Sequence, residues 1–439
     1  MNNLRISKQT VCCKTVCLFA FLLMILVFLS GCYTVSPNVL TSERNETESH
    51  NNEFAVDNQK ASIENILITS IFQADPEHNG AYLCRGQTVW YYDFTANHAT
   101  ILCTQAGCPH KDNSCTAWQG SMECFGVYKG QWYPLVRNDD NSISLIRTGP
   151  QAKNREELFR LRPAANETFH VKWMTFSYGK VFVMIEADIL DYSLDGESSA
   201  SRNIFRLVAL DLSGTQASFK DFNELSGVMY DVRFFGGTSD NLFLLYSYFE
   251  EPLLQFEDFI RNNPELKAED ISDAYIQYLL SYHRAIRREL RVYDLCTWNY
   301  HVLADQNLAE IELPCFDMDT LIYWTIDREK DDECRLYSVD MQTEETTELY
   351  ADHGINNAEL FNGKITVLCA RDARIRYFWM DKVGGTPVEF TSLRDSDSIP
   401  FAIFQETDDY LIGTFHGSPA YIQKNDYYRG AFDRAVYFG

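Results

Sequence analysis

The sequence predicts an all-β protein, specifically a β-propeller, and three observations carry that expectation. Aromatic residues are frequent, with 29 Phe and 25 Tyr in 439 residues, and such side chains favour pleated, half-buried surfaces. One strand grammar recurs along the chain, and it recurs at a period suited to stacked sheets.

The grammar is an aromatic or aliphatic strand, an Asp, a short turn-rich segment and a second strand. It reads in "VWYYDFTANHATIL" (89–102), "RLVALDLSGTQASF" (206–219), "LRVYDLCTWNYHVL" (290–303), "RLYSVDMQTEETTEL" (335–349) and "RYFWMDKVGGTPVEF" (376–390). The landmark residues are Asp93, Asp211, Asp294, Asp340 and Asp381. A carboxylate there can accept backbone N–H groups two residues on and so hold a hairpin. A further strand precedes each hairpin: "AYLCRG", "QWYPLVR", "KVFVMIEA", "NLFLLYSYF", "LIYWTID", "KITVLCA" and "DYLIGTF". The second of these belongs to a degenerate unit that lacks the Asp landmark. Together they make seven units of four strands. A single such sheet cannot bury both faces, whereas radial stacking can. Seven blades fit best, and the same grammar admits six or eight. A pair of β-sandwiches would not sustain the period.

The interval from Asp211 to Asp294 is 83 residues, against 46 and 41 for the next two. Residues 251–290 account for the excess. Ile271, Tyr275, Leu279, His283, Ile286 and Leu290 recur there at spacings of three and four, which predicts a helical insertion in the fourth blade. Asp270 or Ser272 is positioned to cap its second helix. Arg284, Arg287, Arg288 and Arg291 form a basic run, read either as a solvated face or as a dock for an acidic partner.

At the N-terminus, Arg5, Lys8 and Lys14 precede an uncharged apolar run (16–31) and the tetrapeptide "LSGC". This pattern is that of a secretory signal, and "LSGC" resembles the bacterial lipobox, which implies cleavage before Cys32 and lipid attachment to its thiol. The expected organisation is a signal peptide (1–31), a polar tether (32–65) and a propeller domain (66–439). With the blade grammar and the cysteine segment after the first blade, the chain resembles Gram-positive, clostridial-type lipoproteins with a propeller-like domain behind a tether. That resemblance implies an extracytoplasmic location, with membrane lipid bound through a diacylglycerol on Cys32, and no particular chemistry. Net charge is −24, and loss of the three leader cations makes it −27. Such a surface argues against nucleic acid or anionic headgroups as ligands.

The densest cluster of chemistry-bearing residues is "CTQAGCPHKDNSC" (103–115), placed by the repeat between blades one and two. Cys103, Cys108, His110 and Cys115 supply three thiolates and an imidazole, enough for a closed tetrahedral site selective for zinc. The competing reading is a Cys108–Cys115 disulfide, with Cys103 pairing Cys84, Cys124 or neither, which an extracytoplasmic compartment permits, and free thiols are the third. Nine cysteines follow Cys32, an odd number that cannot complete a disulfide framework. A zinc with four protein ligands has no open position, so it would be structural.

The sequence holds no G-x-S-x-G, H-E-x-x-H, P-loop or G-x-G-x-x-G motif. "DYSLDGESS" (191–199) lacks the third-position and final acidic ligands of a calcium loop and reads as a turn. "TFHGSP" (414–419) also reads as a turn. The expected role is a binding or scaffold module for an extracellular ligand or envelope protein. A polysaccharide hydrolase or lyase is the first alternative and a sensor domain the second.

Overall fold

A computed structural model describes residues 65–67 and 72–438, apart from 76–77, 86, 104, 113, 150–154, 193–198, 214–216, 223–227, 268–269, 306–315, 318, 328–329, 331–332, 372–373 and 391–400. The signal segment, Cys32 and the tether up to residue 64 lie outside the described residues.

The chain folds into seven antiparallel sheets, each built around four strands consecutive in sequence. A short strand β1 (Asn65–Leu67) comes first. Blade one comprises β2 (Phe72–Asp75), β3 (Gly80–Arg85), β4 (Thr88–Asp93) and β5 (His98–Ile101). Blade two comprises β6 (Met122–Tyr128), β7 (Gln131–Arg137), β8 (Ile143–Thr148) and β9 (Arg155–Leu161). Blade three comprises β10 (Glu167–Ser177), β11 (Lys180–Tyr192), β12 (Ser199–Asp211) and β13 (Ala217–Phe222). Blade four comprises β14 (Val228–Gly237), β15 (Asn241–Phe249), β16 (Arg287–Asp294) and β17 (Tyr300–Asp305). Blade five comprises β18 (Phe316–Asp317), β19 (Thr320–Asp327), β20 (Glu333–Asp340) and β21 (Thr346–His353). Blade six comprises β22 (Ile355–Phe361), β23 (Lys364–Arg371), β24 (Arg374–Asp381) and β25 (Val388–Glu389). Blade seven comprises β26 (Phe401–Glu406), β27 (Tyr410–Phe415), β28 (Ser418–Gln423) and β29 (Val436–Tyr437). This is a seven-bladed β-propeller, and its second strands are the seven segments singled out in the sequence.

Apolar clusters join each blade to the next. Val89 of blade one meets Phe125 and Trp132 of blade two, Val181 of blade three meets Leu135 of blade two, and Phe182 meets Leu244 of blade four. Trp324 and Leu336 centre the cluster over blades four to six, and Tyr377 and Phe401 join blades six and seven. Among the described residues no strand is exchanged at the closure between blades seven and one. Phe94 instead stacks on Tyr421 at 4.2 Å between ring centroids, the Ala74 amide donates to Gln405, and Asn79 Nδ2 donates to Asp409 at 2.7 Å.

Strand alternation gives the ring two distinct faces. First-to-second and third-to-fourth turns emerge on one, called here the hairpin face. Second-to-third turns and blade-to-blade crossovers emerge on the other, the crossover face. The Asp landmarks end third strands at the hairpin face, and the carboxylates of Asp93, Asp211, Asp294 and Asp340 hold the turns there. Asp93 accepts from the Thr95 and Ala96 amides at 2.8 and 2.9 Å. Asp294 accepts from Cys296 and Thr297 at 3.0 and 2.7 Å, and Asp340 from Gln342 and Thr343 at 2.8 and 2.9 Å.

The insertion between β15 and β16 carries helices α1 (Phe256–Asn262) and α2 (Ile271–Arg284). It is shorter than the sequence pattern implied. The helix stops at Arg284, and Leu290 belongs to β16, in the core. Asp270 occupies the N-cap position of α2 but makes no side-chain capping bond. Tyr275, Tyr278 and Tyr282 share one side of α2 and tie down the strand-to-helix linker. Tyr275 OH donates to the Leu254 carbonyl at 3.1 Å, the Leu254 amide donates to Tyr278 OH at 2.9 Å, and Tyr282 OH donates to the Glu251 carbonyl at 2.8 Å. Tyr282 also stacks on Phe249 of β15 at 4.0 Å.

The basic run does not form one surface. Arg287, Arg288 and Arg291 lie on β16, where successive side chains point to opposite sides of the sheet. Arg291 is only 4% exposed. It pairs with Glu289 at 2.6 Å between the rings of Tyr246 and Tyr300.

Candidate metal centre

The cysteine segment is the crossover from β5 to β6, on the face that also bears the helical insertion. Its fold follows from local turn chemistry. The Leu102 amide donates to the Val89 carbonyl at 3.0 Å, and the chain then leaves the sheet. A turn closes from the Cys108 amide to the Gln105 carbonyl at 3.3 Å, with Gly107 at φ 72°. Pro109 cannot continue a helix, and His110 takes a left-handed φ of 55°. Asp112 then organises the return. Its carboxylate accepts the Ser114 amide at 2.9 Å and its carbonyl accepts the Cys115 amide at 3.0 Å.

Residues after Cys115 anchor the loop. The Val89 amide donates to the Ala117 carbonyl at 3.0 Å and the Gln119 amide to the Gln87 carbonyl at 2.8 Å, around a Thr88–Trp118 bridge. The segment thus takes over from β5 beside the first residues of β4. Arg155 of blade two donates to the Trp118 carbonyl at 3.2 Å. Both neighbouring blades therefore grip the loop.

These turns converge four side chains. One ligand atom from each of Cys103, Cys108, His110 and Cys115 lies within 4.8 Å of the other three. His110 Nδ1 is 3.2 Å from Cys115 Sγ. Tetrahedral zinc, with bonds of about 2.3 Å to sulfur and 2.0–2.1 Å to nitrogen, needs ligand atoms roughly 3.5–3.8 Å apart. The set can hold a metal ion after a contraction of about 1 Å or less. Cys115 is buried, and the other three are part-exposed.

The thiols differ electrostatically. Burial pushes the Cys103 thiol up, but hydrogen bonds outweigh it. They come from the Gln105 amide, from the otherwise unpartnered Thr116 hydroxyl and from Cys115 and Cys108, and they bring it down to about 6. Cys115 is pushed up to about 11 by burial and by its bond to Cys108. The cluster therefore holds a thiolate at Cys103 beside a proton-bearing thiol at Cys115. Among the described cysteines, none of Cys84, Cys103, Cys108, Cys115, Cys124, Cys296, Cys334 and Cys369 forms a disulfide. Burial pushes Cys84 and Cys369 up to about 12, as for small core residues.

No family model matches the chain, and no curated protein does. Among solved structures it is similar to a puromycin-hydrolysing peptidase of Mycobacterium tuberculosis, at 13% identity and a TM-score of 0.45. That similarity covers 85% of this chain but 53% of the peptidase, so this chain spans only part of that protein's length. It is similar to the β-propeller domain of the Trilobed protease from Pyrococcus furiosus, at 7% identity and a TM-score of 0.41, over 83% and 92% of the two chains. An oligogalacturonate lyase in complex with manganese is similar at 11% identity and a TM-score of 0.40, over 82% and 97%.

Of the other stretches weighed in the sequence, "TFHGSP" is the turn between β27 and β28. His416 and Gly417 take φ values of 49° and 79° at its corner. "DYSLDGESS" joins β11 to β12, and its residues 193–198 lie outside the described residues. Four acidic residues on or beside the inner strands are engaged. Glu123 pairs with Arg137 at 2.5 Å, Glu167 with Arg206 at 3.2 Å, Asp231 with Arg233 at 2.6 Å and Asp75 with His78 at 3.1 Å. A polar cluster between blades six and seven has no signature in the sequence pattern. There the hydroxyls of Tyr377 and Tyr427 hydrogen-bond, and burial, then neighbouring charge including that of Glu359, pushes both phenols well up.

Proposed function

We propose that this propeller is a lipid-anchored, extracytoplasmic binding or scaffold module. It would engage an envelope or extracellular macromolecule through its crossover face, with a structural zinc at Cys103, Cys108, His110 and Cys115 shaping that face. The observation that carries the reading is the convergence of four soft ligands in one crossover loop. Soft donors favour zinc, and four protein ligands leave no position for substrate. The zinc would fix the loop between blades one and two, beside the face from which the helical insertion rises. The pairing of Glu123, Glu167, Asp231 and Asp75 also favours binding over catalysis. A glycosidase pair needs two carboxyl groups free to face one substrate.

The deciding experiment is elemental analysis of the purified mature chain, combined with a thiol count and a polysaccharide panel assayed for both binding and turnover. The reading expects about one zinc per chain, by the coordination chemistry of a closed site, and no turnover. A chain without stoichiometric zinc, with Cys108 and Cys115 oxidised, establishes the disulfide staple instead. Polysaccharide cleavage that purifies with the protein overturns the binding role.

A further inference from the structure

Blades three and four leave a cavity of about 250 Å³ between them at the hairpin face. Lys180, Ala209, Asp211 and Ser218 of blade three line one side, and Leu295 and Trp298 of blade four line the other. Register brings these groups together. Lys180 pairs with Asp211 across β11–β12, and Ala209 pairs with Phe182 on one side and Ser218 on the other. Positions two apart on a strand share a face, so Asp211 points the same way as Ala209, toward blade four. The small Ala209 leaves open the space that a larger side chain would fill. On the far wall, Leu295 and Trp298 pack against the cluster that joins the two blades. Trp298 is the fourth residue after Asp294 and takes a left-handed φ of 58°. Asn97 in blade one and Glu344 in blade five hold the same turn position at 51° and 60°. Asn suits that backbone, whereas a bulky residue there is an outlier. The turn does not need the indole, which instead gives the cavity a flat apolar wall. The polar groups opposite are placed to receive a ligand. Asp211 accepts the Ser213 amide and hydroxyl at 2.8 and 2.7 Å, both on Oδ1, and Oδ2 keeps its capacity to accept. Among the described residues, neither the Lys180 ammonium nor the Trp298 indole N–H has a hydrogen-bond or ion-pair partner.

We propose that this cavity is a binding site for a single neutral sugar ring. A pyranose has an apolar C–H face and a rim of hydroxyls. The face lies on the Trp298 indole and Leu295, while hydroxyls donate to Asp211 Oδ2 and accept from Lys180 and Ser218. A few placed polar groups beside an apolar wall are the ordinary make-up of a small-ligand site. The Lys180 and Asp211 charges stand side by side, so an ionic ligand meets repulsion from one of them, whereas hydroxyl groups use both. The volume is below that of clefts that enclose drug-sized ligands and suits one ring, such as the end of a glycan chain. The site lies on the face opposite the Cys/His cluster and rests neither on the zinc nor on docking at the crossover face.

Isothermal titration of the full chain with the methyl glycosides of glucose, galactose and N-acetylglucosamine, up to the millimolar range, tests this. At least one should bind, at a single site, and more tightly than the charged glucuronate and glucosamine. Trp298→Asn removes the ring and leaves the turn a residue that suits it, as in blade one. It should weaken binding about tenfold or more, the worth of a stacked ring. Ser218→Leu, at an exposed position on the rim, fills the cavity and should abolish binding. It decides the matter alone if Trp298→Asn is too unstable to assay. Failure of all three neutral glycosides to bind overturns the proposal, as does unchanged affinity in either folded variant. Tighter binding of glucuronate or glucosamine overturns the neutral class.

Discussion

The Arg291 guanidinium lies 3.7 Å from the centroid of the Tyr246 ring and caps it, with Tyr300 on the other side at 4.3 Å. Glu289 binds the same guanidinium through Nε and Nη2 at 2.7 and 2.6 Å, and Tyr248 OH donates to Glu289 at 2.9 Å. The cationic side chain is thus held on the buried side of blade four by two rings and a carboxylate.

Arg291→Ala removes the partner of a largely buried carboxylate and leaves a hole between two rings. Breaking such a pair costs on the order of 3–5 kcal/mol, and the stacked contacts add to that loss. Lys cannot restore the flat two-ring sandwich or the forked bond, so Arg291→Lys recovers little. Arg287→Ala is the contrast. Its partner Glu250 is 62% exposed on its side chain, and loss of that surface pair changes stability by less than about 1 kcal/mol. Urea and thermal unfolding of the three variants measure the difference.

The Asp landmarks are not equivalent, although the sequence makes them look so. Asp340 holds the Gln342 and Thr343 amides, whereas Asp381 meets Lys364 at 3.2 Å and its turn closes by a backbone bond from Gly384. Asp340→Ala is expected to lower the melting temperature by about 1–2 °C, from the loss of turn hydrogen bonds in a large domain. Asp381→Ala is expected to leave it unchanged within about 1 °C, because an exposed lysine pair is worth little. Equal shifts in differential scanning calorimetry would show that the carboxylate bonds do not hold the turns.

Seven strands, seven blades and the place of the insertion were legible because alternation, turn residues and spacing are local signals that one chain displays. The Cys/His cluster was legible for the same reason, since its four ligands fall within thirteen residues. Arg291 was misread because its neighbours Arg287 and Arg288 suggested a charged run. Its partners Tyr246 and Tyr300 come from two other strands, and only the β15–β16–β17 register brings them together. β1 left no trace, because three residues are too short for a periodic signal and their partner lies more than a hundred residues away.

Cys103 gives the cluster a pH signature. Its thiol is lowered from 9.0 to about 6, so the metal-free protein holds it as thiolate at pH 7. A depressed acid stabilises the fold fully above its unfolded value, near 9, and loses that contribution as pH falls through about 6. Metal-free protein should therefore gain stability from this group between those values. Iodoacetamide at pH 7 should alkylate Cys103 before Cys84 and Cys369, both pushed to about 12. Zinc should suppress the Cys103 reaction and leave the protein as the solution is acidified below about pH 6, where protons compete for the ligand. Peptide mapping of alkylated protein, with and without zinc, checks the order. Slower labelling at Cys103 than at Cys84 would contradict it.

Gly413 tests the closure of the ring. It sits on β27 opposite Ile403 of β26 and Ala420 of β28, and a Cβ at this position would overlap the Ala402 carbonyl oxygen. Both partner strands are fixed by their own ladders, so neither backbone can yield without losing hydrogen bonds. β26 and β28 also carry the contacts that join blade seven to blade one, through Gln405 and Tyr421. Gly413→Ala should therefore cost more than about 4 kcal/mol, in the range reserved for strain in a packed core. The damage should appear at the seam. Proteolysis and hydrogen exchange should rise in β2–β4 and β26–β28 before they rise in blade four. Gly363→Ala separates this clash from backbone strain, because Gly363 has φ 65° but nothing within 4 Å of an added Cβ. Its cost should be only the 1–2 kcal/mol or so of a left-handed alanine, spread to no neighbouring blade. Equal losses for the two variants, or exchange that rises evenly around the ring, would mean that the closure does not depend on the close approach at Gly413.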